Sequence, residues 1–178
     1  MVSGALTVTL VLKRTALFVV IILTWALLAA AVAQASERDV VSLHGYAPGT
    51  IVVKTQERRL YYVLRGDRAL RFPVGVGKAG WRWSGRAHIE AKYIKPAWQA
   101  PPELAGGHLG RVIPGGAPNN PMGVAALTMR NGVYAIHGTN RPASIGRFVS
   151  HGCIRMYNRD IRELYALAVV GTPVIVER

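Results

Sequence analysis

From residue 50 onward, apolar and polar positions fall into short alternating runs. Residues 50–55, 60–64 and 69–76 are rich in Val, Ile, Tyr and Phe, with turn residues at 56–59 and at Arg65-Gly66-Asp67 between them. Runs of this kind predict an antiparallel meander. Residues 87–94 set Ile89 and Ala91 against charged Glu90 and Lys92, which predicts another strand. Residues 123–129 and 133–137 flank Asn131-Gly132, a dipeptide suited to the positive φ angles of a tight hairpin turn, so both flanks read as strands. Residues 154–157 and 174–176 complete the strands. Residues 159–170 place Ile161, Leu164, Tyr165 and Ala168 on one helical face, with Asn158 as the cap, Asp160 and Glu163 near the positive end, and Gly171 as the stop. Residues 95–122 have no regular period and are rich in proline and glycine, yet Trp98, Leu104, Leu109, Val112 and Ile113 predict an ordered loop covering a site. The pattern is that of a mainly β domain with one or two short helices.

The first 35 residues follow a different rule. Residues 15–33 carry no charge, follow Lys13-Arg14 and close on Ala33-Gln34-Ala35. A basic flank, an apolar centre and small residues at a cleavage site make a secretory signal peptide. Left uncleaved, the same stretch would serve as a membrane anchor, since roughly 20 apolar residues cross a bilayer. Either way the chain after Ala35 is expected to be exported, to the periplasm or cell wall, with inner-membrane attachment only through residues 15–33. Residues 36–48 read as a polar linker and residues 49–177 as one domain, which is what 178 residues leave room for.

Charge narrows the class of partner. The formal net charge is +13, and the leader carries two of the positive charges and no acid, so the exported part keeps +11. Such a balance attracts polyanions. Export argues against nucleic acid and leaves wall polymers and anionic lipid, with general solubility as the plain alternative.

Cys153 is the only cysteine. Exported proteins usually pair their thiols or avoid them, so a lone one is either a buried apolar filler or a reactive group. Its neighbours decide between these. His137 ends one strand and Cys153 starts the next, which brings an imidazole and a thiol to neighbouring chain ends. A thiol needs a base, because at neutral pH it is mostly protonated. The base needs an orienting partner, and the open carbonyl of Gly138 suits that role. The N–H groups of Gly152 and Cys153 are candidates for stabilising an oxyanion. Arg155 falls on the same strand face as Cys153, where it can grip a carboxylate or else pair with Asp160. His44, His88 and His108 have no metal-like spacing, and no metal site is expected. Gly75-Val76-Gly77-Lys78 looks like part of a phosphate loop but lacks the spacing and the helix that such a loop requires.

The run Ile136-His137-Gly138-Thr139, followed 14 residues after His137 by His151-Gly152-Cys153-Ile154-Arg155-Met156 and then by Asn158 and Asp160, closely resembles the signature of the L,D-transpeptidase (YkuD-type) catalytic domain. The resemblance extends over about residues 49–177. It implies a β-sandwich-like domain without cofactor, in which Cys153 attacks a tetrapeptide stem of peptidoglycan, releases D-alanine and holds the rest as a thioester. An amine then resolves the thioester, either on a neighbouring stem (a 3-3 cross-link) or on an outer-membrane or wall-tethered protein. With water as acceptor the enzyme would be an L,D-carboxypeptidase. His137 matches the family base, Gly138 the carbonyl orienting it, and Gly152 the oxyanion loop. Arg155, His151, Asn140 and Ser150 are expected near the substrate, although His151 and Asn140 also suit purely local roles in turns. The family is inhibited by carbapenems. The chain departs from it at Gly80-Trp81-Arg82-Trp83-Ser84-Gly85, where many members carry a Thr-Pro-x-Gly turn, so the usual substrate contacts there are in doubt. A sortase-like transpeptidase also combines Cys, His and Arg, but Val149-Ser150-His151-Gly152 does not match its Thr-Leu-x-Thr pattern. A wall-binding module without turnover would have no need of the Cys153 and His137 pair.

Overall fold

The computed structural model describes residues 39–130 and 132–178. The expected leader therefore lies outside the described residues, as does Asn131 of the expected hairpin turn. Among the described residues no helix is long and apolar enough to cross a membrane.

The meander forms as β2 (Ile51–Lys54), β3 (Arg59–Val63) and β4 (Arg68–Pro73), all antiparallel. Its alternation feeds two cores. Ile51, Val53, Leu60, Leu70 and Phe72 face the main core, while Val52, Tyr61, Val63 and Ala69 face the opposite way. That second face is covered by Val41, Leu43 and Tyr46. Residues 40–42, inside the stretch expected as a linker, form β1 (Val40–Ser42), which pairs with β4. The reason is apolar: the outer face of β2–β4 carries large side chains that burial against this segment removes from water.

β14 (Pro173–Glu177) joins β2 in parallel, and β6 (Gly85–His88) pairs with β14, giving a six-stranded sheet ordered β1-β4-β3-β2-β14-β6. The run at 87–94, expected as one strand, divides between two sheets. After β6 the chain crosses at fully buried Ile89 and continues as β7 (Ala91–Ile94) in the second sheet. That sheet is ordered β13-β11-β10-β7, with β10 (Ala125–Met129), β11 (Tyr134–His137) and β13 (Ile154–Arg155). The run at 69–76 divides likewise, into β4 and β5 (Val76–Gly77), which pairs with β12 (Phe148–Ser150). The two larger sheets sandwich the main core, to which helix α1 (Asn158–Leu167) adds Ile161, Leu164 and, just past its end, Ala168.

The helix keeps the expected apolar face but not the expected cap. Asn158 is its first residue rather than its cap, and the helix ends three residues short of 170. Its last carbonyls are met by Lys92 Nζ–H, which donates to Tyr165 O at 2.7 Å and Ala168 O at 2.6 Å. The long loop is ordered, as its apolar residues predict. It contains the hairpin β8 (Trp98–Gln99) and β9 (Val112–Ile113), and buried Asn120 donates to Pro96 O and Pro114 O and accepts from Met122 N–H.

Candidate active site

The site is set by a single pairing. β11 and β13 run parallel, with Ile136 opposite Ile154 and His137 opposite Arg155. Both isoleucines are buried in the main core. Strand alternation therefore puts Ala135, His137, Cys153 and Arg155 together on the other face of the sheet, with Cys153 one step before the pair. Arg155 is held from behind by Gly75, with which it exchanges both backbone hydrogen bonds (2.8 and 2.9 Å). The glycine-rich segment thus supports the site strand and is no phosphate loop.

Cys153 is partly buried and opens onto a cavity of about 580 Å³. Thr128, Ala135 and Cys153 lie along its sheet side, Trp98, Leu104 and Met122 come from the long loop, and Trp81 and His151 flank it. The long loop is therefore the cover that its composition predicts. His137 is buried, 4% exposed, and does not line this cavity.

The His137 ring lies with Nδ1 2.6 Å from Gly138 O. A carbonyl can only accept, which assigns the proton to Nδ1 and leaves Nε2 as the basic nitrogen. Burial lowers the His137 pKa to about 4. The carbonyls of Gly138 and Pro121 oppose the shift, and the Arg155 charge adds to it. Burial also pushes the Cys153 thiol up, against a backbone hydrogen bond at Ala135 and the Arg155 charge. At neutral pH the Cys153 thiol and the His137 imidazole are therefore both uncharged. Arg155 acts electrostatically on both, and its own pKa is lowered, chiefly by burial.

The loop before Cys153 is built from its own polar groups. Ser150 Oγ–H donates to Cys153 O at 2.6 Å and accepts from Gly152 N–H at 3.2 Å. Two groups expected to face a substrate are thus bonded within the loop, the Ser150 hydroxyl to Cys153 O and Gly152 N–H to Ser150 Oγ. Gly152 has φ +110°, and a Cβ there would collide with the Tyr134 ring, so no other residue fits. Tyr134 stacks on Trp83 (4.9 Å, 12°), and Trp83 Nε1–H donates to Gly152 O at 3.0 Å. The divergent loop thus inserts Trp83 as an anchor behind Gly152, next to Cys153. Trp81 meets the His151 ring edge-on at 4.8 Å, and burial, with Lys78 and Arg155 nearby, lowers the His151 pKa.

Asn140 is not with these groups. It lines a separate cavity of about 650 Å³ with Thr139 and Tyr157. Asn158 holds the turn after His137: its Oδ1 accepts from Thr139 N–H at 3.0 Å and Val124 N–H at 3.3 Å. A Cβ at Gly138 would strike that oxygen, so glycine at 138 admits the clamp as well as opening its carbonyl. Of the residues that shape this region, Tyr134 was not singled out by the sequence; Trp83 stood in the tryptophan-rich departure at 80–85 and Asn158 in the family signature, but neither the Trp83 anchor nor the Asn158 clamp was foreseen.

Comparison with known proteins agrees with this geometry. A family model described as YkuD, L,D-transpeptidase catalytic domain, matches residues 48–176. The probable L,D-transpeptidase YbiS of Escherichia coli (strain K12) is 39% identical over 135 residues, covering 70% of this chain and 43% of that protein. The chain thus spans about two fifths of the length of such curated relatives. The catalytic domain of an E. faecium L,D-transpeptidase shares the fold with a TM-score of 0.58 at 21% identity, covering 75% of this chain and 98% of that one. L,D-transpeptidase 3 from Mycobacterium tuberculosis, in complex with a faropenem-derived adduct, shares it with a TM-score of 0.59 at 15% identity, covering 72% and 60%. With its parallel β11–β13 pairing, its buried His137 and its Cys153 cavity, the chain belongs to the L,D-transpeptidase catalytic domain family.

Proposed function

We propose that the protein is an exported peptidoglycan L,D-transpeptidase with Cys153 as nucleophile and His137 as general base. The observation that carries this reading is the β11–β13 register, which gathers Cys153, His137 and Arg155 on one sheet face beside a covered cavity. In the first step Sγ attacks the carbonyl before the terminal D-alanine of a tetrapeptide stem, and the thiol proton passes to His137 Nε2. Cys153 N–H steadies the oxyanion. The C–N bond breaks, His137 returns the proton to the leaving amine, and a thioester remains. In the second step an amine attacks the thioester, the C–S bond breaks and the proton returns to sulfur. A basic Nε2 in a neutral ring suits a base that is ready at neutral pH. Arg155 and His151 are the candidates for holding the stem, His151 from the cavity wall and Arg155 from beside the nucleophile.

The acceptor is a second stem or a wall-tethered protein, and export to the periplasm or cell wall follows from the basic and apolar leader. The faropenem-derived adduct of the M. tuberculosis relative supports acylation of Cys153 here by a β-lactam. Incubation with tetrapeptide muropeptides is expected to release D-alanine, with Cys153→Ala reduced to background. Wild-type protein that releases none sinks the reading.

A further inference from the structure

Beside the Cys153 cavity lies a second one of about 480 Å³, lined by Arg86, His88, Glu90 and Arg130 and sharing Val133 and Tyr134 with the first. Arg86 and His88 are two apart on edge strand β6, and so point the same way. Arg130 sits at φ +55°, a left-handed backbone conformation that a side-chain-bearing residue rarely adopts. Its guanidinium lies over Trp83 (5.3 Å) and Tyr134 (6.0 Å). That stack ends at Gly152, whose carbonyl Trp83 holds. Among the described residues no ion pair involves Arg86, Arg130 or Glu90. The cavity therefore faces two unpaired guanidinium groups with one carboxylate. Paired guanidinium N–H groups match the two oxygens of a carboxylate.

We propose that this second cavity is a carboxylate subsite for the acceptor, a peptide stem whose free carboxylate sits at Arg86 and Arg130 while its amine reaches along Val133 and Tyr134 to the thioester. The assignment rests on the reading of Cys153 as the acyl carrier. A cross-linking enzyme must hold two stems at once, and the cavity over Cys153 is filled by the donor. Each stem bears carboxylates that an uncharged wall would not attract.

The test uses the full chain and Arg86→Glu, since Arg130 also supports the stacked wall. With a carboxylate-bearing acceptor peptide, the ratio of transfer to hydrolysis is expected to fall about tenfold, the scale of one charged contact. The same peptide with its carboxylates converted to carboxamides should show no such fall. An unchanged ratio, or an equal fall with both peptides, overturns the subsite. Binding is measured separately in the Cys153→Ala background, where turnover plays no part. There Arg86→Glu is expected to weaken the Kd of the carboxylate peptide about tenfold, and an unchanged Kd overturns the subsite. Absence of any thioester in the wild type would instead count against the transpeptidase reading, and the binding result would still decide the subsite.

Discussion

A trans peptide points its carbonyl and the following N–H in opposite directions within one plane. The bond from Trp83 Nε1–H to Gly152 O therefore fixes the direction of Cys153 N–H, the proposed oxyanion donor. Trp83→Phe keeps a ring against Tyr134 and removes only the donor. D-alanine release is expected to slow about tenfold in kcat with KM and Tm nearly unchanged, less than the roughly 100-fold cost of deleting an oxyanion donor outright. Equal kcat in the two proteins would show that the indole does not orient the peptide. At this scale the placement of His137 and Cys153 at neighbouring strand ends was legible from their spacing, because strand ends and glycines are written in the chain. The supporting residues were not. Asn158 reads locally as a helix cap, and only the distant backbone of Val124 and Thr139 makes it the clamp of the His137 turn. Ser150 reads as a ligand because nothing local says that its hydroxyl turns back onto Cys153 O.

Between elements, the same division recurs. Alternation located the meander, the β10–β11 hairpin and the amphipathic helix, since each buries one face. It could not show where a run leaves one sheet for another, because Ile89 is as apolar as a residue within a strand and is simply the point where the chain changes layer. Nor could it identify β1, whose short apolar run gains meaning only from the exposed back of the meander. Lys92 shows the cost of reading one element alone. Its sequence position suggests a solvated partner to Ile89 and Ala91, yet its ammonium satisfies two carbonyls at the negative end of α1 and lies 4.2 Å from the Tyr165 ring. Lys92→Met removes both charged bonds and leaves those carbonyls less satisfied. It is expected to cost about 2 kcal/mol and lower Tm by about 5 °C. A calorimetric Tm within a degree of wild type would mean that water replaces the ammonium without loss.

For the whole molecule, burying a neutral base under the cover loop ties stability to pH. His137 titrates near 6.5 when unfolded and at about 4 when folded, so below 6.5 the unfolded chain binds the extra proton. Its stabilising contribution is complete above pH 6.5 and is lost as pH falls through about 4, a change of about 3 kcal/mol. Asp160, whose pKa burial raises, works in the opposite direction, but it is common to wild type and variant and cancels from their comparison. His137→Gln has no proton to gain. The gap between wild-type and variant urea midpoints, measured from pH 4 to 8, should widen in favour of the wild type as pH rises, since Asp160 and His151 titrate in both proteins and cancel from the difference. Parallel curves would place the proton-linked loss elsewhere. The same shift bears on turnover, because a base that stays neutral down to about pH 4 gives acylation of Cys153 no acid limb between pH 5 and 8. Stability and the proposed catalysis are thus expected to be linked through one buried ring, since the burial that ties stability to pH also keeps His137 unprotonated.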